Sequence, residues 1–356
     1  MKPTGPALTV RAGREALATL ERDGFRADAF STLLGASGGP KWLVLASLDR
    51  VIARRLVAGR TAPLHAFGTS IGAFRHTCHA QTNPLAAFER FEQAYVGQAY
   101  ETKPTPAEVT DVSRRIFDVM IGETGTEEVL RHPTMRLHVG AVRSRRALAT
   151  HGKPRLALGL GAAATANAIS RRLLGAFFER VIFHSCDAPE FGFRDVATRH
   201  VRLDKNNLRE ATLASGSIPL VMAAIENIPG APPGFYLDGG ITDYHFAMDF
   251  DAPPGLILYP HFFDRIVPGW FDKPLSWRKA RGRLLERTVF IAPSAEFVAT
   301  LPGAKVPDRD DFVTHKTAER QKRWNQALSA CRVLGEEFEA LLEGSRLAAA
   351  AQPFPD

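Results

Sequence analysis

The chain has 356 residues, of which 45% are hydrophobic and 23% charged, and its 45 Lys and Arg exceed its 38 Asp and Glu to give a formal net charge of +7. This composition is typical of a globular protein and excludes disordered, collagen-like and coiled-coil architectures. The longest nearly uncharged apolar stretches, 156–169 and 211–225, are shorter than the roughly 20 residues that a membrane-spanning helix needs.

The cysteines and the first residues indicate the cellular compartment. Cys78, Cys186 and Cys331 have no spacing typical of a disulfide framework or a zinc site. Residues 1–25 carry several charges and lack an uninterrupted apolar core, which argues against a secretory signal. The sequence therefore predicts a cytoplasmic protein.

Apolar runs that suit strands alternate with helical stretches from residue 29 onward. The predicted strands are Phe30–Leu34, Leu64–Gly68, Met135–Val142, Val181–His184, Phe235–Leu237, Leu256–Tyr259 and Val289–Ala292. The predicted helices are Lys41–Leu56, Ile71–Gln81, Thr165–Arg180, Asn207–Ala214 and a long stretch over 310–342. Such alternation predicts an α/β fold with a largely parallel sheet. We expect one domain over residues 1–345, with its motifs at about 29–245, and a flexible tail at 346–356.

The pattern G-x-S-x-G occurs twice, and the second copy has the context of a nucleophile elbow. Gly68-Thr69-Ser70-Ile71-Gly72 follows one predicted strand and precedes a predicted helix. An elbow needs this order, and small residues two before and two after the serine keep the sharp turn free of collisions. Ser70 is therefore a candidate nucleophile. The alternative is an ordinary turn in which Ser70 caps the helix.

The first copy, Gly35-Ala36-Ser37-Gly38-Gly39, suits a different role. Gly38 and Gly39 offer consecutive backbone N–H groups, and Pro40 starts a helix at a position where proline is tolerated. Such a loop suits the oxyanion of a tetrahedral intermediate, and a purely structural glycine turn is the alternative. It is a poor P-loop, because Pro40 and Trp42 replace the glycine and the hydroxyl residue that nucleotide binding needs.

Two later stretches carry small residues or a carboxylate at the end of an element. Ala214-Ser215-Gly216-Ser217-Ile218-Pro219 ends a predicted helix with residues that allow backbones to approach closely. Asp238 ends a predicted strand, where catalytic groups gather in parallel sheets, and Gly239 and Gly240 leave room beside it. A plain Asp-Gly-Gly turn is the alternative.

In this order, the four features resemble the patatin-like phospholipase family over about residues 29–245. That family has a glycine-rich oxyanion loop with a basic residue, a G-x-S-x-G elbow, an A-S-x-A-x-P stretch and a D-G-G sequence. The resemblance implies a three-layer α/β/α sandwich that hydrolyses lipid or phospholipid acyl esters with a serine–aspartate dyad. The residues it implies are Ser70 as nucleophile, Asp238 as base, Gly38 and Gly39 as oxyanion donors, and Lys41 as the basic residue of the loop. It implies no cofactor, no metal ion and no nucleic-acid partner.

Two other functions stay open at this point. An α/β-hydrolase orders its triad Ser, then Asp or Glu, then His, and His245, His261 and His315 come late enough in the chain. That fold places its elbow after several strands, whereas one convincing strand precedes Ser70, which favours the dyad. The second alternative is a protein that binds a lipid or acyl group without catalysis.

The stretch Trp270–Arg287 is a candidate membrane-contact surface. Its proposed contact residues are Trp270, Trp277, Arg278, Lys279 and Arg281. Indole rings favour the headgroup level of a bilayer, and basic residues favour an anionic surface. A solvated helix face is the alternative. A separate pair, His76 and His79, lies on one predicted helix without a local carboxylate, so no metal site is predicted there.

Overall fold

The computed structural model describes residues 5–145, 148–187, 193–247, 252–280 and 282–355. Its strands are β1 (Leu8–Ala12), β2 (Phe30–Gly35), β3 (Leu64–Thr69), β4 (Met135–Ser144), β5 (Phe178–His184), β6 (Thr198–Arg202), β7 (Ile225–Glu226), β8 (Phe235–Asp238), β9 (Leu256–Pro260), β10 (Thr288–Pro293) and β11 (Ala351–Gln352). Its α-helices are α1 (Arg14–Asp23), α2 (Ala46–Ile52), α3 (Ile71–His79), α4 (Pro84–Val96), α5 (Pro106–Ile121), α6 (Gly125–Arg131), α7 (Lys153–Ile169), α8 (Leu208–Ser215), α9 (Gly240–Asp243), α10 (Arg283–Glu286), α11 (Ala295–Val298), α12 (Asp311–Thr314), α13 (Thr317–Ala330), α14 (Arg332–Leu341) and α15 (Arg346–Ala350).

The strands form a mixed sheet in the order β11-β1-β10-β9-β2-β3-β4-β5-β6. From β10 to β4 the neighbouring strands pair in parallel, whereas β1 runs antiparallel to β10 and β5 runs antiparallel to β4. Helices flank the sheet, and every residue of β5 and β9 is buried, as expected of strands that are covered on both faces. The predicted α/β class with a largely parallel central sheet is thus confirmed.

Three predicted helices are shorter or more divided than the sequence suggested. The stretch predicted over 41–56 contains α2 between a 3-10 helix (Gly39–Leu45) and a π-helical turn (Ala53–Val57). The helix predicted over 165–180 ends at Ile169, because Ser170 is extended, and its last residues belong to β5 instead. The long helix predicted over 310–342 is divided into α12, α13 and α14. His315 is extended and separates α12 from α13, which lets Phe312 pack edge-on against the buried Trp324. Tertiary packing therefore overrides local helix propensity at the last two of these places.

The C-terminal segment is ordered by the edge of the sheet. Residue Leu347 of α15 is buried, and β11 pairs in parallel with β1 through Val10–Ala351 and Arg11–Gln352. The prediction of a flexible tail over 346–356 was therefore wrong for residues 346–352. The backbone groups of β1 would otherwise be unpaired along this edge, and that requirement has no signal in the sequence of the tail.

One edge of β4 determines the geometry of the site. β5 pairs with β4 along His138–Ser144 and so occupies one edge. On the other edge, β3 pairs with β4 as far as Gly140. From the next β4 residue, Ala141, this edge pairs with β8, which runs antiparallel to β4. The carboxyl ends of β3 and β8 therefore meet head to head. β3 and β8 are thus not paired with each other but lie end to end along this edge of β4.

Candidate active site

Ser70 sits in a sharp turn between β3 and α3 with φ 52° and ψ −128°. A positive φ is costly for a residue with a side chain, so the surrounding structure must hold this conformation. A Cβ at Gly68 would lie 2.5 Å from the Ala73 nitrogen, and a Cβ at Gly72 would lie 2.1 Å from the Gly35 carbonyl oxygen. Both glycines of the motif are thus required by close backbone contacts, as in a nucleophile elbow.

The Ser70 hydroxyl is directly bonded to Asp238. It donates a hydrogen bond to Asp238 Oδ2 at 2.8 Å, and both residues are buried. The Gly240 N–H donates to the other carboxylate oxygen at 2.7 Å and fixes its orientation. The structure therefore brings together the two residues that the sequence named, in the geometry that proton transfer between them requires.

Burial also changes the acidity of Asp238. It raises the pKa of this carboxyl from 3.8 to about 6, although the hydrogen bonds from Ser70 and the Gly240 N–H act in the opposite direction. The positive charges of Arg309 and Lys273 likewise favour the ionised form. A carboxylate of this kind stays ionised at neutral pH and is more basic than an exposed one, which suits a general base.

Ser215, at the end of α8, supports the elbow from the other side. Its hydroxyl accepts a hydrogen bond from the Ser70 N–H at 2.9 Å and donates one to the Gly140 carbonyl at 2.6 Å. Its own carbonyl accepts from the Gly239 N–H at 3.1 Å. The small-residue stretch that begins at Ala214 thus joins the elbow, β4 and the Asp-Gly-Gly turn.

The loop after β2 lies beside the elbow with two N–H groups available. The Ser37 N–H donates to the Tyr244 carbonyl at 2.9 Å, whereas no described residue accepts a hydrogen bond from the Gly38 or Gly39 N–H. Gly39 has φ 56°, and a Cβ at Gly38 would lie 2.5 Å from the Phe262 ring. The conformation that exposes these N–H groups is therefore one that glycine alone adopts without strain.

A chain of hydroxyl groups fixes the loop to the elbow. The Ser37 hydroxyl donates to Thr69 Oγ1 at 2.9 Å, and the Thr69 hydroxyl donates to the Asp243 carbonyl at 2.7 Å. The Asp243 carboxylate accepts from Arg180 Nε at 2.7 Å, in an ion pair from which water is excluded. Loop, elbow and the α9 turn after Asp238 are thus held as one unit.

These elements line a small cavity that opens at Ser70. Its lining residues are Ser37, Gly38, Gly39, Lys41, Ser70, Ile218, Pro219, Asp238, Gly240, Ile241, Tyr244, Trp270, Lys273 and Arg309. Lys41 is half-buried here with its ammonium 5.8 Å from the centre of the Phe263 ring, and burial lowers its pKa. All five sequence-predicted site residues therefore meet at one cavity.

The histidines of the alternative triad lie elsewhere. No described histidine lines the cavity. His245 and His261 pack edge to face at 4.2 Å, and the His245 ring accepts from the Val267 N–H. His76 and His79 are fully buried in α3, and the described residues contain no group of three ligands arranged for a metal ion.

The candidate membrane-contact stretch is divided by the structure. Trp270 lines the cavity, whereas Trp277 is 67% exposed. Arg278 is engaged with Asp272 at 3.4 Å and with the Ala168 carbonyl at 3.3 Å. Lys279 is exposed, and Arg281 lies outside the described residues.

Several cavity residues carry no local sequence signal. Lys273 and Arg309 come from loops far from the motifs, and no sequence pattern assigns a role to Tyr244. Lys273 lies within the stretch interpreted as a membrane surface, and its position in the cavity depends on chain folding. Thr69 is the last residue of β3, and its hydroxyl stabilises the loop only because folding brings the Asp243 carbonyl within hydrogen-bond distance.

The sequence matches no protein-family model, and no curated protein matches it. Among solved structures the chain is similar to the crystal structure of VipD from Legionella pneumophila, with a TM-score of 0.33 and 11% sequence identity. That match covers 94% of this chain and 71% of the other. A likeness this distant says nothing about chemistry, so function must be argued from the geometry.

Proposed function

We propose that this protein is a serine acyl-ester hydrolase of the patatin-like kind, acting on lipid or phospholipid acyl esters through a Ser70–Asp238 dyad. The observation that carries the proposal is the 2.8 Å hydrogen bond from a strained elbow serine to a buried aspartate. A serine becomes a useful nucleophile when an adjacent base accepts its proton, and the raised pKa of Asp238, about 6, makes it a better acceptor.

The reaction proceeds in two balanced halves. Asp238 accepts the Ser70 proton while Ser70 Oγ attacks the ester carbonyl, and the oxyanion binds the N–H groups of Gly38 and Gly39. The intermediate expels the alcohol, which takes the proton from Asp238, and an acyl-enzyme is left. Water then gives a proton to Asp238 and attacks the acyl carbonyl. Departure of the acid returns that proton to Ser70.

An apolar side of the cavity supports an acyl substrate. Ile218, Pro219 and Ile241 line it, and the next residues along the chain, Leu220 and Val221, are each 42% exposed. Exposed apolar side chains beside a polar reaction centre can cover an acyl chain that extends from the cavity.

Labelling with a fluorophosphonate probe and a screen of acyl esters test the proposal. The wild type should react with the probe and hydrolyse at least one ester, Ser70→Ala should do neither, and the control Ser345→Ala, at an exposed serine, should match the wild type. Full esterase activity in Ser70→Ala would reject the dyad. A protein that binds acyl groups without reacting with the probe would be the non-catalytic alternative.

We further propose a peripheral membrane contact through Trp277. In the parts of the chain that the structure describes, every helix is too short or too polar to traverse a bilayer. The proposed lipid substrate lies in a bilayer, so the site has to approach a membrane surface. The hydrogen bond from Arg278 to Ala168 brings exposed Trp277 close to the end of α7, where Ile169 is 75% exposed. Side chains of this type insert at the headgroup level.

A further inference from the structure

Three cationic side chains surround the cavity at Ser70. Lys41, Lys273 and Arg309 all line it, and they come from three separate segments of the chain. Arg309 passes over the oxyanion loop, since a Cβ at Gly39 would lie 3.5 Å from Arg309 Cγ. The Lys273 ammonium lies 4.1 Å from the centre of the Tyr244 ring. The backbone carbonyl of Tyr244 accepts a hydrogen bond from the Ser37 N–H. Both cations are thus adjacent to the loop that would bind the oxyanion.

Within the described residues, the carboxylates whose charges act on these cations, Asp308 and Asp310 on Lys41 and Asp238 on Lys273, are not in ion-pair contact with them. No described carboxylate forms an ion pair with any of the three, and Asp308, the acidic neighbour of Arg309, is paired with Lys305 at 3.1 Å. Asp238 is the acidic residue of the cavity lining, and it is bonded to Ser70 and the Gly240 N–H. The cavity therefore carries a surplus of positive charge.

This surplus lowers the proton affinity of Lys273, a cavity residue that is also exposed to solvent. Partial burial and the neighbouring Arg309 and Lys41 charges lower the pKa of Lys273 to about 8. Like charges gathered at one cavity repel each other, and an anion bound among them relieves this repulsion. One dyad needs one oxyanion, and the Gly38 and Gly39 N–H groups already serve that group. Lys273 and Arg309 are left for a second anionic group on the substrate.

We infer that the substrate is an acyl ester that carries a phosphate or carboxylate group near its scissile bond, and that Lys273 and Arg309 form the subsite for this group. The inference rests on the proposed hydrolase function. Lys41 adds positive field from within the loop. Arg309 can bind such a group with two parallel N–H bonds, and Lys273 can bind it as a compact charge.

Matched ester pairs test the subsite by kinetics. Monolauroylglycerol and its phosphate monoester form one pair, and para-butyryloxybenzoate and its methyl ester form the other, so the two pairs separate phosphate from carboxylate recognition.

The wild type should prefer the anionic member of at least one pair by tenfold or more in kcat/KM. Lys273→Gln and Arg309→Gln should each lower kcat/KM for the anionic ester by about tenfold, the value of one charge-assisted hydrogen bond. Because loss of either cation also raises the pKa of Asp238, the neutral ester of each pair serves as the reference within the same variant, and the ratio of the anionic to the neutral kcat/KM should fall about tenfold.

Lys316→Gln is the matched control, because Lys316 is exposed and lies outside the cavity lining. It should retain the preference of the wild type. Equal or better hydrolysis of the neutral esters by the wild type, or an unchanged preference in the double variant Lys273→Gln/Arg309→Gln, would overturn the subsite while leaving the hydrolase function in place.

A binding measurement decides the case in which no ester is hydrolysed, which would count against the proposed function itself. Inorganic phosphate should raise the melting temperature of the wild type and of Lys316→Gln in proportion to its concentration, and should not raise that of the double variant. An equal rise in all three proteins would mean that phosphate binds elsewhere, and the subsite would be rejected.

Discussion

The carboxylate of Asp238 accepts two hydrogen bonds that favour its ionised form, whereas its burial disfavours that form. Ser70 and the Gly240 N–H each donate to it, yet removal from water dominates, and its pKa rises to about 6. An exposed aspartate would be a weaker base by about two pKa units and would leave Ser70 less activated. The burial of Asp238 therefore costs folding free energy and at the same time increases the basicity that activates Ser70.

The first prediction is a pH profile. If Asp238 is the general base, kcat/KM for a neutral ester should rise about tenfold per pH unit below its pKa of about 6 and level off above it. The measurement is the initial rate between pH 4 and 8 with a soluble neutral ester. A plateau that already begins near pH 4 would mean that Asp238 titrates like an exposed carboxyl or is not the base.

The second prediction concerns stability. Because the folded-state pKa of Asp238 is above its unfolded value of 3.8, the stability it contributes is present below pH 3.8 and is lost as the pH rises through about 6. Asparagine has no such loss and retains an oxygen for the Gly240 N–H. At pH 8, the free energy of unfolding of Asp238→Asn should therefore exceed that of the wild type by up to about 3 kcal/mol. The variant should accordingly unfold at a higher temperature.

Thermal and urea unfolding at pH 4 and pH 8 would measure the difference. The gain should be close to zero at pH 4, and hydrolysis by Asp238→Asn should be lost at both values. A variant that is less stable than the wild type at pH 8 would contradict the assignment of a destabilising buried charge.

At the scale of elements, the elbow and the oxyanion loop are held together by glycines in contact. The Cα of Gly72 in α3 approaches Gly35 at the end of β2, and a Cβ on Gly72 would lie 2.1 Å from the Gly35 carbonyl. The register of β2 on β3 pairs Gly35 with Gly68, so the glycines of both motifs meet at one place. The repeated G-x-S-x-G pattern thus reflects one packing contact between two loops with different roles.

The third prediction follows from this contact. Gly72→Ala should destabilise the fold by roughly 2–4 kcal/mol, because backbone atoms rather than a flexible side chain oppose the added methyl group. Gly161→Ala is the matched control, since Gly161 lies in α7 with open space around it, and alanine should there add up to about 1 kcal/mol. Urea unfolding of both variants checks this. Similar effects of the two substitutions would show that the contact at Gly72 is looser than described.

The fourth prediction tests the oxyanion loop. Proline at position 39 would remove the N–H, but its fixed negative φ conflicts with the φ of 56° observed for Gly39. Replacing Gly39 by glycolate changes the amide to an ester and removes the N–H while the backbone conformation is retained. Turnover should fall about a hundredfold to a thousandfold with KM nearly unchanged. Full turnover by the folded ester variant would remove Gly39 from the oxyanion site.

At the scale of the whole molecule, buried ion pairs connect the site to the candidate membrane surface. Arg180 joins Asp243 to Asp195, and Arg171 joins Asp195 to Asp272. Asp272 ends the short turn that begins at Trp270, so the segment bearing Trp277 is anchored to the same framework as the Asp-Gly-Gly turn. Protein bound to a bilayer through Trp277 would thus hold its cavity at a fixed orientation.

The fifth prediction is binding to lipid vesicles. Because Arg278 is engaged with Asp272, we expect the contact to depend more on Trp277 than on basic residues. Trp277→Ser should lower the fraction that sediments with anionic vesicles by about fivefold, corresponding to the loss of partial burial of one large apolar side chain. Val119→Ser, at a 49% exposed site in α5, is the control and should bind like the wild type. Negligible binding of the wild type to anionic and neutral vesicles would reject the contact.

The sequence by itself determined the α/β class and the positions of the two glycine loops. Strands such as Leu256–Tyr259 and Val289–Ala292 are continuous apolar runs, and runs of this kind are typical of strands that are buried on both faces of a sheet. It also named Ser70 and Asp238, since glycines on either side of a serine or after an aspartate are local requirements. Their chemical roles remain predictions for the experiments above.

Only the tertiary structure decided how those residues meet. β8 follows β3 along an edge of β4, and no local pattern specifies that pairing, because strand order depends on contacts between residues far apart in the chain. The same holds for Lys273 and Arg309, which reach the cavity from irregular loops, and for β11, which needs the open edge of β1. Backbone hydrogen bonding and charge placement are properties of the assembled sheet, so they are absent from any single stretch of sequence.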